Sequence, residues 1–329
     1  MERIGFTTTL PIEAIMAAGH IPVDLNNAFI KGPDTEADIR AAETAGFPRS
    51  MCAWIKGIYG TIKRLGIKRV VGVLEGDCSY TEGLMDVLEH EGYDVIGFHF
   101  PHEPDEARLK PMIADLAARL GVSMADVEKK WAELRPLREN LRKLDEMTID
   151  GRVSGAENFE MLIDASDFEG CAPDYFRKVK KLLAVAEERR PKKQDLRLAV
   201  AGIPTAFTDL FAFLEKHDVQ VVYNEMPAEF AMLRPTRSIA AQYSDYTYPY
   251  PFRHRLKRIK NEIARRKVDG VIHYVQTFCY RGIHDRLLKE ALNVPVLPLE
   301  GDRPARIGGR EELRLESFIE MLLSRKDAR

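Results

Sequence analysis

The chain has 329 residues, 45% apolar and 30% charged, which sets a prior of two globular domains and excludes global disorder. With 49 Lys and Arg against 51 Asp and Glu, no excess of positive charge marks nucleic acid as a main partner. No apolar run approaches the roughly 20 residues a bilayer span requires, and the opening Met1-Glu2-Arg3-Ile4-Gly5 enters a strand-like segment with no secretory signal pattern. The expected location is the cytoplasm, with no membrane contact.

The elements alternate from the start. Arg3–Thr7 reads as a strand, Pro11–Ala18 as a short helix with Pro in its favoured first turn, and Ile21–Leu25 as the next strand. Met51–Leu65 reads as a helix closed by Gly66, followed by the apolar run Val70–Leu74, typical of a buried parallel strand. A helix over Leu84–His90 and a strand over Val95–Phe98 complete a β-α-β-α-β pattern, hence an open α/β sheet. The middle is helical: Pro104–Leu120, Met124–Met147, Ser154–Ala165 and Pro173–Arg189, with Ser123 and Asp126 as a capping pair. Glu187–Asp195 reads as an exposed linker.

A second α/β unit follows. Strands are expected over Arg197–Ala201, Val219–Tyr223, Gly270–Val275 and Val294–Leu297. Helices are expected over Thr205–Lys216, His254–Lys267, Ile283–Leu292 and Glu311–Ser324, with a Tyr- and Pro-rich loop over Gln242–Phe252. The expected organisation is two Rossmann-like open α/β domains with additional helices: residues 1–150 with a helical extension, and 151–329 with a helical connection. The two halves share a βαβ grammar but no residue-level repeat.

Four cysteines, Cys52, Cys78, Cys171 and Cys279, are too few for a disulfide scaffold, and none forms a CxxC pair. Any site they share must be assembled from distant segments. Cys78 and Cys279 each follow an apolar strand, on the side where open α/β sheets bind ligands. Cys52 begins a helix, where free N–H groups favour a thiolate. Three such thiolates would suit an anionic metal centre; each thiol would equally suit a small buried apolar side chain.

The context of these residues carries a resemblance. Phe47-Pro48-Arg49-Ser50-Met51-Cys52-Ala53-Trp54-Ile55-Lys56-Gly57-Ile58-Tyr59-Gly60 resembles the first cysteine segment of the D-component family of 2-hydroxyacyl-CoA dehydratases and benzoyl-CoA reductases. The opening Thr7–Gly19 is similar to that family too, as are Val268–His273 through Phe278-Cys279, and the close over Val294–Asp302 with Gly309, Arg314 and Phe318. The resemblance implies two Rossmann-like domains with a [4Fe-4S] cluster between them, held by Cys52, Cys78 and Cys279, with Cys171 structural. It also implies an acyl-CoA substrate, pairing with a paralogous subunit or a second copy, and a separate ATP-hydrolysing iron–sulfur activator. The chain itself has no GxxxxGK[ST] loop. The implied reaction is radical elimination of water from a 2-hydroxyacyl-CoA. The alternatives are an aryl-CoA reductase that keeps the electrons and a non-catalytic electron-transfer or scaffold subunit. The pattern departs from the family in three places: Asp77 precedes Cys78 rather than following it, no cysteine stands in Gly202-Ile203-Pro204 or Tyr223-Asn224-Glu225-Met226, and Arg310 stands where Gln is common.

The remaining candidates have plain alternatives. Glu75 and Asp77 could tune a cluster or take a proton, or form a solvated loop pair. His20 and His273 fit structural roles. Tyr243, Tyr246, Tyr248 and Tyr250 could line a substrate channel or pack a surface loop. Arg253–Lys267 reads as the solvated face of an amphipathic helix, with docking of CoA phosphates or an acidic activator as the alternative.

Overall fold

The computed structural model describes residues 1–192 and 195–328. The expected linker therefore falls partly, at Lys193 and Gln194, outside the described residues. Strands β1 (Arg3–Phe6), β2 (Ile21–Asp24), β3 (Arg69–Glu75) and β4 (Asp94–His99) form one parallel sheet in the order β2-β1-β3-β4. Strands β5 (Leu196–Gly202), β6 (Val219–Asn224), β7 (Gly270–Gln276) and β8 (Val296–Gly301) form a second parallel sheet in the order β6-β5-β7-β8. The two orders are the same. In each sheet the strand order reverses beside the first strand, between β1 and β3 and between β5 and β7. The central strands are continuous apolar runs because helices cover both faces.

Helices fill the crossovers. In the first half these are α1 (Ile12–Ala17), α2 (Leu25–Ile30), α3 (Thr35–Thr44), α4 (Ala53–Leu65) and α5 (Ser79–His90). The helical middle is α6 (Glu106–Arg119), α7 (Met124–Ile149), α8 (Gly155–Ile163) and α9 (Ala172–Glu187). The second half carries α10 (Leu210–Lys216), α11 (Glu225–Phe230), α12 (Ile239–Asp245), α13 (Phe252–Arg266), α14 (His284–Ala291) and α15 (Gly309–Asp327). The capping pair at Ser123 and Asp126 is formed in both directions, and Gly66 closes α4 with φ 64°.

Several boundaries differ from expectation. The helix expected over Thr205–Lys216 begins only at Leu210, because Ala206–Thr208 bond to the Ala305 backbone instead, Phe207 forming a parallel bridge with it. The expected loop Gln242–Phe252 starts inside α12, which Ser238 caps through its side chain. Helices α2, α3 and α11 were not expected from the sequence.

One apolar cluster joins the halves, running from Ile4 and Phe6 through Trp131, Leu137 and Leu141 of α7 to Ala199 and Val222. Its polar centre is Glu13 of α1, fully buried, which accepts from Arg138 of α7 and from the Tyr243 hydroxyl (2.9 Å) and Gln242 Nε2 (3.2 Å) of α12. Trp131 Nε1 donates to Gln242 Oε1 at 2.9 Å. A buried carboxylate is tolerated only when paired and hydrogen-bonded, so this network holds the middle helices in one arrangement against the second half.

Candidate functional site

The sheets present their reversal points to one cavity of about 320 Å³, within the range of small-molecule sites. Its wall takes Thr7 and Thr8 from the end of β1, Asp77 and Cys78 from beyond β3, Ile203–Thr205 from beyond β5, and Gln276 and Cys279 from β7 and beyond. Ligands of open α/β sheets bind where the strand order reverses. Here two such crevices open on the same space.

Cys52, Cys78 and Cys279 all line this cavity. Cys52 precedes α4, Cys78 precedes α5, and Cys279 precedes the 3-10 turn Tyr280–Ile283 that leads into α14. Backbone N–H groups of the turn that follows each sulfur act to lower its pKa, and Cys78 Sγ lies 3.9 Å from Thr81 Oγ1. Burial nonetheless pushes all three thiols up, Cys52 to about 11, and the sulfurs of Cys78 and Cys279 add to the rise at Cys52. Left alone, the set stays protonated; it suits a group that brings positive charge and takes thiolates. Cys171 is exposed and lies outside the cavity wall.

Among the described residues, no three His, Cys, Asp or Glu side chains stand close enough to hold a single metal ion. A cubane makes a different demand, because its thiolates bind different irons. Three thiols on one cavity wall are the donor set such a group would take.

Local backbone explains how the loops reach inward. The turn from Gln276 to Cys279 closes with Cys279 N donating to the Gln276 carbonyl at 2.9 Å, and Phe278 takes a left-handed φ of 66°. A non-glycine residue there is strained, a feature that concentrates at functional sites. Gly76, φ 100°, lets the segment before α13 approach: a Cβ would meet Pro249 at 2.6 Å.

The flanking acids separate. Glu75 is exposed, near His99 at 3.8 Å, as a solvated residue should be. Asp77 is half-buried instead: it lines the cavity, accepting from Thr81 Oγ1 (3.0 Å) and the Tyr248 hydroxyl (3.1 Å), and burial raises its pKa. That corrects the reading of the two as one solvated pair. Of the four tyrosines, only Tyr248 lines the cavity; Tyr243, Tyr246 and Tyr250 are buried core residues rather than surface packing.

The histidines are structural in place. His20 Nδ1 accepts from the Glu2 N–H at 3.3 Å, and buried His273 pairs with Asp285 at 2.5 Å, away from the cavity wall. Helix α13 is only partly a solvated face. Arg255 and Arg266 are buried, the first against Glu225, the second against Asp145 and Glu262.

The sequence reading missed Gln276 and Arg281, which line the cavity within three residues of Cys279. Their spacing from that cysteine was the available signal. It also missed Asp24 at the end of β2 and Asn26 in the first turn of α2. Asn26 Oδ1 accepts from Trp54 Nε1 at 2.7 Å, fixing an indole in the wall beside Cys52.

Two parallel sheets whose reversal points share one cysteine-lined cavity define a class of α/β protein that works at the seam between matching halves. A family model described as 2-hydroxyglutaryl-CoA dehydratase, D-component, matches residues 7–322, and the chain belongs to that family. No curated protein matches the chain. The chain is thus a component of the dehydratase type. Among the described residues, no helix is long and apolar enough to cross a membrane.

Proposed function

We propose that this chain is the iron–sulfur subunit of a 2-hydroxyacyl-CoA dehydratase. In this reading Cys52, Cys78 and Cys279 hold a [4Fe-4S] cluster between an N-terminal domain, residues 1–150, and a C-terminal one, residues 151–329. One observation carries it: three cysteines distant in sequence line a single cavity at the reversal points of both sheets, while Cys171 does not.

When bound, a cluster with three protein thiolates supplies low-potential electron transfer and an iron open to an oxygen ligand. The chain's own residues do the rest. The three thiols release their protons as the group binds. Trp54, Ile55, Ile58, Ile163 and Phe230 give the cavity an apolar wall that excludes water from the acyl group. Asp77, held by Thr81 and Tyr248, places a carboxyl at that wall. Without a GxxxxGK[ST] loop the chain takes its electron from a separate ATP-hydrolysing iron–sulfur activator, and it works beside a paralogous subunit or a second copy of itself. The aromatic content of the wall, Trp54, Phe159 and Phe230, favours one second reading: a benzoyl-CoA-reductase-like subunit acting on an aryl thioester.

The test is iron content after anaerobic purification. About four irons per chain are expected. Cys52→Ser, Cys78→Ser and Cys279→Ser should each lose most of it, and Cys171→Ser should keep it. Full retention in Cys279→Ser rejects the assignment. Turnover with activator separates the two enzyme readings: a dehydratase recycles its electron, and a reductase consumes reductant in proportion to product.

A further inference from the structure

Beside Cys279 stand two buried polar side chains whose hydrogen-bonding capacity the protein leaves open. Gln276 is 3% exposed; among the described residues its Nε2 has no partner, and its Oε1 accepts only a long bond, 3.5 Å, from the Tyr274 hydroxyl. Arg281 is 4% exposed, and among the described residues its one hydrogen bond runs from Nη2 to the Tyr248 carbonyl at 3.1 Å. Both side chains line the cavity.

Arg281 is held by its surroundings rather than by an ion pair. Its guanidinium packs 4.1 Å from the Tyr248 ring centroid and 5.0 Å from that of Tyr280. Ring contacts fix the plane of a guanidinium and leave its in-plane N–H groups free for an acceptor. A guanidinium is always protonated in proteins, so Arg281 brings a fixed positive charge to the wall. Lys31, the other cation in the wall, is occupied by Asp164.

Buried donors without partners are costly and uncommon in native proteins. Gln276 Nε2 is such a donor, and Arg281, in the same cavity wall, spends one N–H on the Tyr248 carbonyl and offers the rest; together they define a place for an oxygen acceptor that arrives with a ligand. We propose that Gln276 and Arg281 are the subsite for the acyl carbonyl oxygen of a CoA thioester, the inference resting on the acyl-CoA reading given above. Donors fixed before the ligand arrives favour the form in which that oxygen carries more negative charge. The two residues thus recognise the thioester group itself, whatever the acyl chain.

The test compares butanoyl-CoA with S-butyl-CoA, in which a methylene replaces the carbonyl. Both are titrated calorimetrically into the anaerobically purified full-length chain. The expected result is thioester binding tighter than thioether binding by about tenfold or more, as hydrogen bonds to a charged donor contribute. Gln276→Leu and Arg281→Gln should each erase much of that preference while leaving S-butyl-CoA affinity unchanged. The thioether also shows that each variant has kept its fold. Equal binding of the two ligands by the wild-type chain, or equal loss of both in the variants, overturns the subsite and spares the acyl-CoA reading. Binding of neither ligand overturns both.

Discussion

The crossover from β2 to β3 and the crossover from β6 to β7 follow one plan. Each runs strand, six-residue helix, short helix, long helix, strand: α2, α3 and α4 in the first half, α11, α12 and α13 in the second. Helices α4 and α13 occupy the same slot and solve it differently. In α4, Gly57 and Gly60 bring the helix close to its neighbours: a Cβ at Gly57 would strike the Phe29 ring of α2, and one at Gly60 the Asp38 backbone of α3. Helix α13 has no glycine. It reaches outward with Arg255 to Glu225 of α11, and with Arg266 to Asp145 of α7 and the Val222 carbonyl (2.6 Å). The topology fixes where such a helix lies; the side chains fix how far away its neighbours stand. Close approach demands glycine, and long arms demand paired charge. The leading ends differ as well: Cys52, before α4, lines the cavity, and Pro251, before α13, does not.

The largest expected effect breaks the second solution. Glu225 is fully buried, pairs with Arg255, and accepts from the Gly202 N–H at 2.8 Å. Glu225→Gln strands a buried guanidinium and should cost about 3–5 kcal/mol in urea unfolding. A loss under about 1 kcal/mol would mean that α13 is held by its apolar stripe alone. The first solution breaks less severely. Gly60→Ala forces α3 and α4 apart, and overpacking of about 1–3 kcal/mol outweighs the helix propensity gained, about 1 kcal/mol. Gly83 of α5 meets nothing within 4 Å, so Gly83→Ala should change stability with the opposite sign. Two glycine substitutions of the same sign would remove the close-approach argument.

The strands were legible because buried parallel strands are unbroken apolar runs, as at Val70–Leu74 and Gly270–Val275. The matching short helices were not. Helices α2 and α11 span six residues each, too few to show a period, and α11 contains Pro227. Helix α3 did carry a signal, the Asp34 cap with Glu36 and Asp38 in its first turn. The buried arginines were also readable: Arg255, Ile259, Glu262 and Arg266 recur at helical spacing, so two of the cations share the stripe of Ile259. The positions of Cys78 and Cys279 followed from the strands they trail. Their meeting with Cys52 did not, because it depends on how the sheets face one another, which no local pattern encodes. Arg281 becomes distinctive only once its place in the cavity wall, without a paired carboxylate among the described residues, is seen.

The smallest expected effect sharpens the comparison at the strand ends. Asp24 closes β2 and Asn224 closes β6, at matching places before α2 and α11. Asp24 caps α2 by accepting from the Asn26 N–H at 2.9 Å, and its own N–H donates to Asp167 at 2.8 Å. Burial raises the pKa of Asp24; burial and then the charge of Asp24 push Asp167 up to about 7. Asp164 and Glu169 add negative charge nearby, with Lys31 and Lys178 opposing it. Both carboxyls hold protons more tightly folded than unfolded. Stability therefore falls as pH rises from the unfolded value near 4 through the folded value near 7, and the penalty is complete above it. Asp24→Asn installs the residue of the second half, keeps a capping oxygen, and removes one charge from the pair. Its unfolding free energy relative to wild type should be near zero at pH 4 and rise by on the order of 1 kcal/mol by pH 8. A difference that stays flat across that range would show that the two carboxyls do not share a titration, and that the Asp and Asn strand ends are equivalent in charge as well as in place.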